Sequence, residues 1–589
     1  MLIILITIPS ALQKHHILKT KVHIAILGGG PSGLFMFKRL VDTCNANLAI
    51  TIFERKKQLG VGMPYSTEGA NDEHITNVSG NEIPELVTSI ADWIASAPKH
   101  LLDHYQITQE SYNDYKVLPR LLFGQYLSAQ FDLLQQQAET RGIEVNIHFE
   151  SSVTDITDEP EKGNVSVEVN GENTQDFDTV IICTGHNWPK KYEGKIPGYF
   201  DSPYPPAKLH IKTNHQVAIK GSSLTAVDAI RTLARGNGEF SIEKDGKRVY
   251  HLAADSPDFK ITLHSRNGLL PAVRFHLDDS HLENDSLLTD EEIAEHIQSN
   301  NGFLSLDYIF EKDFKQIFKE KDPEFYAHVK DLSMETFVAE MMEQRERLDA
   351  FQLLKAEYME AERSIKRRES IYWKEMLGVL SFAMNYPAKY LCAEDMQRLQ
   401  KVLQPLISVV IAYIPQSSCE ELLAMHDAGV LEIVSVGEDS EVKPEKTGGA
   451  TYYYTDEVGE KHADHFKTFV DSVGQPHLPF EDLPYKSLVD NKTVSPALLK
   501  FRDAAKGKEA LKKDERLVQT KGGDYYLTVP GVAINDNFQV LDEQGTVNDR
   551  IYMMAVPYIG GYNPDYSGLD FCEAASANII DSLFKTEDA

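Results

Sequence analysis

The chain has 589 residues, with 59 Lys and Arg against 89 Asp and Glu, so its formal net charge is −30 at pH 7. Apolar residues make up 42% and charged residues 25%, which is typical of a folded globular protein and argues against disorder. The acidic charge argues against a nucleic-acid partner. No stretch reaches the ~18 apolar residues of a membrane span. At roughly 100–200 residues per domain, the length predicts about three or four domains.

The cysteines are few and widely spaced, and none forms a Cys-x-x-Cys pair: Cys44, Cys183, Cys392, Cys419 and Cys572. This spacing argues against a disulfide framework and against a zinc or iron–sulfur site. We therefore predict a cytoplasmic protein without a metal centre and without stable membrane insertion. Residues 1–20 begin with an apolar run that no basic residue precedes. We interpret them as a tail ahead of the first strand or as a start site placed too early, with a weak membrane anchor as the alternative.

The first structural unit begins with a glycine-rich turn between a strand and a helix. Residues 22–27 (VHIAIL) predict a buried strand, residues 34–43 a helix and residues 48–53 (LAITIF) a second strand. Gly28, Gly30 and Gly33 between them fit G-x-G-x-x-G, in which the glycines allow a tight turn, backbone approach to a pyrophosphate and close helix packing. Glu54 ends the second strand, where a carboxylate can bind ribose hydroxyls. The combination predicts a dinucleotide site.

A second unit of the same kind follows. Residues 178–186 predict a buried strand that ends in Thr-Gly-His, and residues 217–221 open the new unit. Its turn reads G-x-S-x-x-A from Gly221 through Ser223, so only the first glycine of the motif remains. The strand over residues 261–264 is followed by Arg266, whose guanidinium can hold the 2′-phosphate of NADP. A surface arginine without a ligand is the equally weighted alternative.

The remaining chain is predicted from local patterns. Residues 304–404 are rich in helix formers, and residues 341–368 show the longest helical pattern. Strand patterns resume at 408–413, 430–436 and 466–476. Residues 549–581 read as a strand, a glycine-rich loop and a helix. The helical region is predicted to cover the second unit.

The sequence resembles a family of FAD-NAD(P)-binding proteins that groups with the L-aspartate N-monooxygenases and the FAD-dependent urate hydroxylases. The stretches that carry the resemblance touch both units: VHIAILGGGPSGL, FERKKQLGVGMPYS, HITNVSG, LPRLLFGQYL, VIICTGH, VAIKGSSLTAVDAI, LHSRNGLLP and FVDSVGQP. The last stretch has Ser-Val where relatives more often have Ala-Thr.

The resemblance implies two sets of cofactor residues. FAD would be bound by Gly28, Gly30, Pro31, Ser32, Gly33, Glu54, Arg55, Gly62, Arg120, Val153, Thr184 and Gly185. NADPH or NADH would approach Gly221, Ser223 and Arg266. Because two glycines are missing and the Ser-Val pair departs from the family, the sequence leaves open whether NADPH or NADH binds tightly.

The predicted fold is α/β, with two doubly wound, Rossmann-like dinucleotide-binding domains and a helical insertion. The expected boundaries are a tail at 1–20, an FAD-binding domain at 21–210 completed by 530–589, an NAD(P)-binding-like domain at 211–275 continued by 405–480, a helical insertion at 276–404, and a connecting segment at 481–529.

The resemblance implies an FAD-dependent, NAD(P)H-using oxidoreductase. We expect a monooxygenase that hydroxylates a small nitrogen-containing metabolite with O2 through a C4a-(hydro)peroxyflavin. A flavin reductase or dehydrogenase without oxygen transfer, and an FAD-binding redox-sensing or partner protein without turnover, are the alternatives. Asn77 and His186 are the candidate catalytic residues, although a turn asparagine and a satisfied loop histidine are common. Arg274 is expected either to hold an anionic substrate or to pair with the acidic stretch that follows it.

Overall fold

The structure, a computed structural model, describes residues 21–185, 188–277, 287–475, 477–564 and 568–584. The strands are β1 Val22–Leu27, β2 Leu48–Phe53, β3 Ile75–Ser79, β4 Val117–Pro119, β5 Glu144–His148, β6 Val153–Glu159, β7 Asn164–Val169, β8 Asn173–Phe177, β9 Thr179–Ile182, β10 Tyr199–Phe200, β11 Gln216–Lys220, β12 Gly238–Ile242, β13 Arg248–Leu252, β14 Lys260–Ser265, β15 Leu431–Ser435, β16 Glu441–Pro444, β17 Ala450–Thr455, β18 Lys461–Phe466, β19 Thr468–Asp471, β20 Pro496–Lys500, β21 Val518–Lys521, β22 Asp524–Val532, β23 Gln539–Leu541 and β24 Val547–Met553.

The helices are α1 Pro31–Asp42, α2 Ile90–Ser96, α3 Lys99–His104, α4 Arg120–Thr140, α5 Leu224–Asn237, α6 Asp290–Ser299, α7 Leu306–Asp313, α8 Phe318–Lys321, α9 Pro323–Val329, α10 Met334–Glu346, α11 Ala350–Arg367, α12 Tyr372–Ala383, α13 Ala393–Arg398, α14 Gln404–Val410, α15 Gln416–Asp427, α16 Lys486–Asp490, α17 Ala504–Lys513 and α18 Gly568–Phe584. None of these helices is both long and apolar enough to cross a membrane.

The first unit, here called the flavin unit, is built on a six-stranded sheet in the order β23-β24-β9-β1-β2-β5. Strand β1 runs parallel to both β2 and β9, and only β23 at the edge is antiparallel. Every residue of β2 is buried, as expected for a parallel strand covered on both faces. The predicted strand, turn, helix and strand at the start of this unit are confirmed.

The second unit, here called the nicotinamide unit, repeats this plan. Its parallel sheet has the order β10-β19-β11-β14-β15, and helix α5 follows β11 as α1 follows β1. Each unit also carries a three-stranded antiparallel sheet, β6-β7-β8 in the flavin unit and β16-β17-β18 in the nicotinamide unit. The predicted fold class, two dinucleotide-binding domains with a helical region, is confirmed.

Helices α6 to α10 and α12 to α14 form a helical unit with its own apolar core, whereas α11 packs with α15 into the core of the nicotinamide unit. Two local predictions in this region are wrong. Residues 341–368 form two helices, because Asp349 caps the start of α11 by accepting from the backbone N–H groups of Phe351 and Gln352. The predicted strand at 408–413 does not form: residues 408–410 end α14, and residues 411–413 are a turn. The helix forms because Leu406, Ile407 and Val410 pack into the helical core, where burial outweighs β-branched propensity.

The segment expected only to connect domains is structured. Strands β20, β22 and β21 form an antiparallel sheet, and Ala497, Leu499 and Val529 from this sheet pack into the core of the helical unit. Strand β24 and helix α18 then return to the flavin unit, where α18 packs against α1. The return of the C-terminal strand and helix is as the sequence predicts.

Candidate functional site

The turn after β1 has the shape that the glycine motif predicts. Gly28 has φ +107°, and a Cβ atom there would lie 2.8 Å from the carbonyl oxygen of Cys183 at the end of β9. A Cβ atom at Gly33 would lie 2.1 Å from the carbonyl oxygen of Gly28. Helix α1 can therefore begin this close to β1 only because residue 33 has no side chain.

The start of α1 offers unpaired N–H groups. Pro31 is the first helical residue, and Gly30 before it makes no side-chain cap. The N–H groups of Gly30, Ser32 and Gly33 make no hydrogen bond to the described residues. Such a helix start is suited to the pyrophosphate of a dinucleotide. The Ser32 hydroxyl lies 3.4 Å from the Cys572 Sγ atom, and this contact holds α18 against the turn.

Glu54 is buried and fixed by the backbone at both carboxylate oxygens. Its Oε2 accepts from the Gly29 N–H and its Oε1 from the Lys56 N–H, each at 2.8 Å. Each oxygen retains a second lone pair, so the carboxylate is held at the end of β2 with acceptor capacity for a ribose. The residues of this turn therefore fit the adenosine diphosphate part of FAD.

The other predicted flavin residues differ in how closely they lie to this turn. A Cβ atom at Gly62 would lie 2.9 Å from Pro31, so this loop packs directly on the glycine turn. Arg55 is exposed and faces Glu68, with 3.7 Å between their charged atoms. Val153 is the first residue of β6, and Thr184 and Gly185 follow β9, which ends at Ile182. His186 lies outside the described residues.

The second turn keeps the geometry of the first despite its missing glycines. Gly221 has φ +101°, and a Cβ atom there would lie 2.8 Å from the carbonyl oxygen of Ser472 at the end of β19. Ser223 precedes α5 without a side-chain cap. The N–H groups of Ser222, Ser223 and Leu224 make no hydrogen bond to the described residues. The turn therefore fits a second dinucleotide, and two small residues replace the two glycines.

A cavity of about 1210 Å³ lies between the nicotinamide unit, the flavin unit and the helical unit. Its wall at the nicotinamide unit includes Gly221, Ser223 and Arg266. Its wall at the flavin unit includes Asn77, Val78 and Asp570. Helices α10, α12 and α14 cover the cavity with Val338, Met342, Gly378, Ser381, Gln404 and Ile407. The sequence predicts that the helical region covers the second unit. In the structure it covers a space that both dinucleotide units share.

Asn77 and His477 face this cavity. The side-chain amide of Asn77 makes no hydrogen bond to the described residues. Burial lowers the pKa of His477 to about 4, against the opposing effect of a hydrogen bond with the Pro564 backbone, so its imidazole is neutral at pH 7. A Cβ atom at Gly560 would lie 1.6 Å from the His477 Nδ1 atom, so residue 560 must be glycine for this ring position.

Arg120 contacts the nicotinamide unit, a contact that the sequence did not predict. Its Nη1 donates to Asp228 Oδ2 at 2.6 Å and its Nε donates to the Ile75 carbonyl at 3.2 Å. Tyr204 also donates to Asp228, at 2.7 Å. Burial favours the neutral form of Asp228, but the charge of Arg120 and the hydrogen bond from Tyr204 lower its pKa below the ordinary value, so it stays ionised. We call Arg120, Asp228, Tyr204 and His74 the Arg120 cluster.

His74 completes the Arg120 cluster as a neutral ring. Its Nδ1 accepts from the Asn71 N–H at 2.9 Å, so the proton is on Nε2, which lies 3.2 Å from the Asp228 carbonyl. Burial lowers the pKa of His74 from its ordinary value, although Asp228 opposes this. The imidazole therefore links the two units without a charge.

Arg274 is buried, and the partners of its guanidinium among the described residues lie in the flavin unit and after α14, not in the acidic stretch that follows it. Its holding an anionic substrate stays a prediction. It donates to Glu82, to the carbonyl oxygen of Asn77, and to the Ser79 hydroxyl at 2.7 Å. Its guanidinium also lies 5.3 Å from the centre of the Tyr413 ring. Burial alone would lower the pKa of Arg274, but Glu82 and Tyr413 raise it above the ordinary value. We call Arg274, Glu82, Ser79 and Tyr413 the Arg274 cluster.

Sequence reasoning missed the partners in both clusters because they are far apart in the chain. Arg120 and Asp228 are 108 residues apart, and Arg274 and Glu82 are 192 residues apart. No motif spacing links residues at such separations. The one available signal was the charge of each residue within an otherwise apolar stretch, which predicts a buried partner but does not identify it.

One group of potential metal ligands occurs among the described residues, at the turn between β17 and β18. It consists of Asp456, Glu460 and His462. Asp456 accepts from the Glu460 N–H and from His462 Nε2, both at 2.8 Å. These bonds are the ordinary hydrogen bonds of a turn, and nothing further at this turn indicates an ion.

The fold and the two turns define an FAD-NAD(P)-binding flavoprotein. Residues 25–187 match a family model described as FAD-NAD(P)-binding, and residues 289–411 match a YdhS-like middle domain. The match confirms the predicted class of protein and of cofactor, FAD together with NAD(P). The helices that cover the cavity lie largely within the second matched range.

The chain is similar over most of its length to the protein YdhS of Escherichia coli (strain K12). The two are 28% identical over 554 residues, which is 93% of this chain and 95% of that protein. Among solved structures, it is similar to L-lysine 6-monooxygenase from Pseudomonas syringae, with a TM-score of 0.45, 10% identity, and coverage of 95% of this chain and 98% of that one. It is also similar to the cadaverine monooxygenase DfoA of Erwinia amylovora, solved with FAD, with a TM-score of 0.42, 10% identity, and coverage of 96% and 94%.

Proposed function

We propose that the protein is an FAD-dependent, NAD(P)H-using oxidoreductase that transfers one oxygen atom of O2 to a small nitrogen-containing metabolite. The observation that carries this proposal is the shared cavity, since its wall includes the second dinucleotide turn, a strand of the flavin unit and the helical cover. The nitrogen-containing substrate rests on the resemblance of the sequence motifs. We also propose the domain boundaries given above, except that the sheet of β20, β21 and β22 belongs with the helical unit, whose core it shares.

The protein's own residues would bind the two cofactors at separate turns. Backbone N–H groups at the start of α1 and the carboxylate of Glu54 suit FAD. The start of α5 suits the pyrophosphate of NAD(P)H, and the exposed Arg266 suits a 2′-phosphate at the end of β14. When bound, FAD supplies the hydride-accepting and oxygen-activating chemistry.

The cavity residues would orient the reactants and limit the access of water. The amide of Asn77 can donate a hydrogen bond to a group in the cavity, and the neutral ring of His477 can form a hydrogen bond there without carrying a charge. The helical cover contributes mainly apolar side chains, which favour a weakly hydrated chamber. The preserved second turn supports a nicotinamide-using enzyme over a protein that only retains FAD.

The test is anaerobic stopped-flow mixing of the FAD-loaded protein with NADPH and then with NADH, followed by oxygenated buffer. We expect the visible absorbance of the oxidised flavin to bleach, and a transient species to precede its return. Faster return with a small amine or amino acid, and formation of a hydroxylated product by mass spectrometry, would support oxygen transfer. Bleaching with direct return and only H2O2 as product would identify a reductase. No bleaching with either nucleotide would refute the proposal.

A further inference from the structure

Strand β3 forms part of the cavity wall at the flavin unit, and arginines contact its backbone at two points. Asn77 and Val78 of this strand line the cavity. The Ile75 carbonyl accepts from Arg120, and the Asn77 carbonyl accepts from Arg274. In an extended strand, the backbone carbonyls of residues 75 and 77 point to the same edge. Both arginines therefore hold the same edge of β3.

The two arginines are paired reciprocally across the boundary between the units. Arg120 belongs to the flavin unit and pairs with Asp228 in helix α5 of the nicotinamide unit. Arg274 follows the nicotinamide sheet and pairs with Glu82 of the flavin unit. Asp228 and Arg274 are 5% and 4% exposed, so removing the partner of either charge would leave a buried, uncompensated charge and destabilise the protein strongly.

The Arg274 cluster also controls the backbone beyond Asn77. The Ser79 N–H and the Ser79 hydroxyl both donate to Glu82 Oε2 at 2.8 Å, and Arg274 donates to the same carboxylate. Tyr413 contributes its ring face to Arg274 and its hydroxyl lies 3.4 Å from Glu82 Oε1. A planar guanidinium with five donors can reach a carbonyl, a hydroxyl and a carboxylate together, whereas a lysine ammonium cannot.

We propose that Arg274 is a positioning residue that fixes strand β3 across the unit boundary, so that the Asn77 amide is presented to the cavity while the nicotinamide unit is held against the flavin unit. The proposal follows because the Asn77 side chain has no hydrogen bond of its own to the described residues, so its direction depends on its backbone. The part played by Asn77 in flavin reduction rests on the proposed function; the fixing of β3 does not.

The test combines Arg274→Lys, Asn77→Ala and the double variant in the full-length, FAD-loaded protein. The matched control is Arg231→Lys, since Arg231 is equally buried, bonds to Glu421 at 2.8 Å within the nicotinamide unit, and makes no hydrogen bond to β3. Two quantities are measured. One is hydrogen–deuterium exchange in peptides that cover residues 75–79. The other is the limiting rate of flavin reduction, separated from the Kd for NAD(P)H.

We expect Arg274→Lys to speed exchange at the Ser79 amide about tenfold or more, without the same effect on β1 or β2. Arg231→Lys should leave residues 75–79 unchanged. Arg274→Lys and Asn77→Ala should each lower the limiting reduction rate about tenfold, with a Kd for NAD(P)H that changes less than about threefold. Because Arg274 acts through Asn77, the double variant should be no slower than Asn77→Ala alone.

Unchanged exchange at residues 75–79, or effects that multiply to about 100-fold in the double variant, would overturn the proposal. If Arg274→Lys does not fold, Tyr413→Leu removes a smaller part of the cluster without stranding a charge, and it should raise exchange at the same peptides by about threefold. If neither nucleotide reduces the wild-type flavin, the proposed function fails, and the exchange measurement still decides whether Arg274 fixes β3.

Discussion

The two dinucleotide units have the same turn but different chemistry around it. Gly28 and Gly221 have φ +107° and +101°, and each approaches the end of a neighbouring parallel strand at the same distance. The third motif position is Gly33 in the flavin unit and Ala226 in the nicotinamide unit. The turn therefore depends on the first glycine, and the third position only sets how closely the helix approaches the strand.

The two units also differ in the residue that follows the second strand. Glu54 follows β2 and is buried with both oxygens bonded, whereas Arg266 follows β14 and is exposed at the cavity. A buried carboxylate suits ribose hydroxyls and an exposed guanidinium suits a phosphate. The four variants below test this comparison, from the largest expected effect to the smallest.

Gly33→Ala should abolish FAD binding, because its Cβ atom would lie 2.1 Å from the Gly28 carbonyl oxygen and both atoms belong to the backbone of the turn. We expect at least a 100-fold loss of affinity and a loss of stability of about 1–3 kcal/mol. The measurements are flavin content after gel filtration and the melting temperature. Ala226→Gly is the control and should cost only about 0.5–1 kcal/mol. Stoichiometric flavin in Gly33→Ala would contradict the close helix approach.

Glu54→Gln should weaken FAD binding by about 10- to 100-fold. Both carboxylate oxygens accept backbone N–H groups, so the glutamine NH2 must face either the Gly29 or the Lys56 N–H. A buried donor left facing a donor costs about 1–3 kcal/mol. Fluorescence titration of the apoprotein with FAD measures the change. An unchanged FAD affinity would show that the Glu54 contacts do not hold the turn.

Arg266→Gln should reduce the preference for NADPH over NADH by about tenfold, because it removes a charge that can pair with the 2′-phosphate. Reduction rates at low concentrations of each nucleotide measure the preference. Arg55→Gln is the counterpart in the flavin unit, where the exposed arginine also follows the second strand, and should leave the preference unchanged. An equal decrease in the reduction rate with NADPH and with NADH would assign Arg266 a role other than phosphate binding.

His264→Leu should make the nicotinamide unit less sensitive to acid. His264 stacks on Tyr452 with 4.1 Å between ring centres, and burial lowers its pKa from 6.5 to about 4, although Asp464 and Glu432 oppose this. The unfolded chain therefore binds a proton between pH 6.5 and 4 that the folded protein does not, so stability falls as pH falls through this window. The cost is about 2 kcal/mol at pH 5.

The check on this prediction is the melting temperature at pH 7 and pH 5. The decrease between these two pH values should be smaller by about 4 °C in His264→Leu than in the wild type. At pH 5, hydrogen exchange in β14 should be slower in His264→Leu than in the wild type. Exchange in β2, where the corresponding residue is Ile52, should be the same in both proteins. An identical pH dependence in both proteins would contradict the buried, neutral state of His264.

Several elements could be predicted because their signals are local. The strand before Gly28, the helix after the turn and the acid at Glu54 lie within one short stretch, and each follows from burial pattern or backbone geometry. The helix begins at Pro31, three residues before the predicted start. The strand predicted at 408–413 was wrong for the opposite reason. Its β-branched residues favour a strand locally, but the apolar core of the helical unit requires a helix there.

The sequence by itself determined the two turns, their helix starts and the class of cofactor, since each depends on neighbouring residues whose backbone geometry is set by glycine, proline and hydrophobic pattern. Only the tertiary structure decided that Arg120 pairs with Asp228, that Arg274 holds β3, and that the helices cover a cavity shared by both units. Ion pairs between distant residues carry no spacing signal. They form because a buried charge must find a partner, and packing alone decides which partner is near.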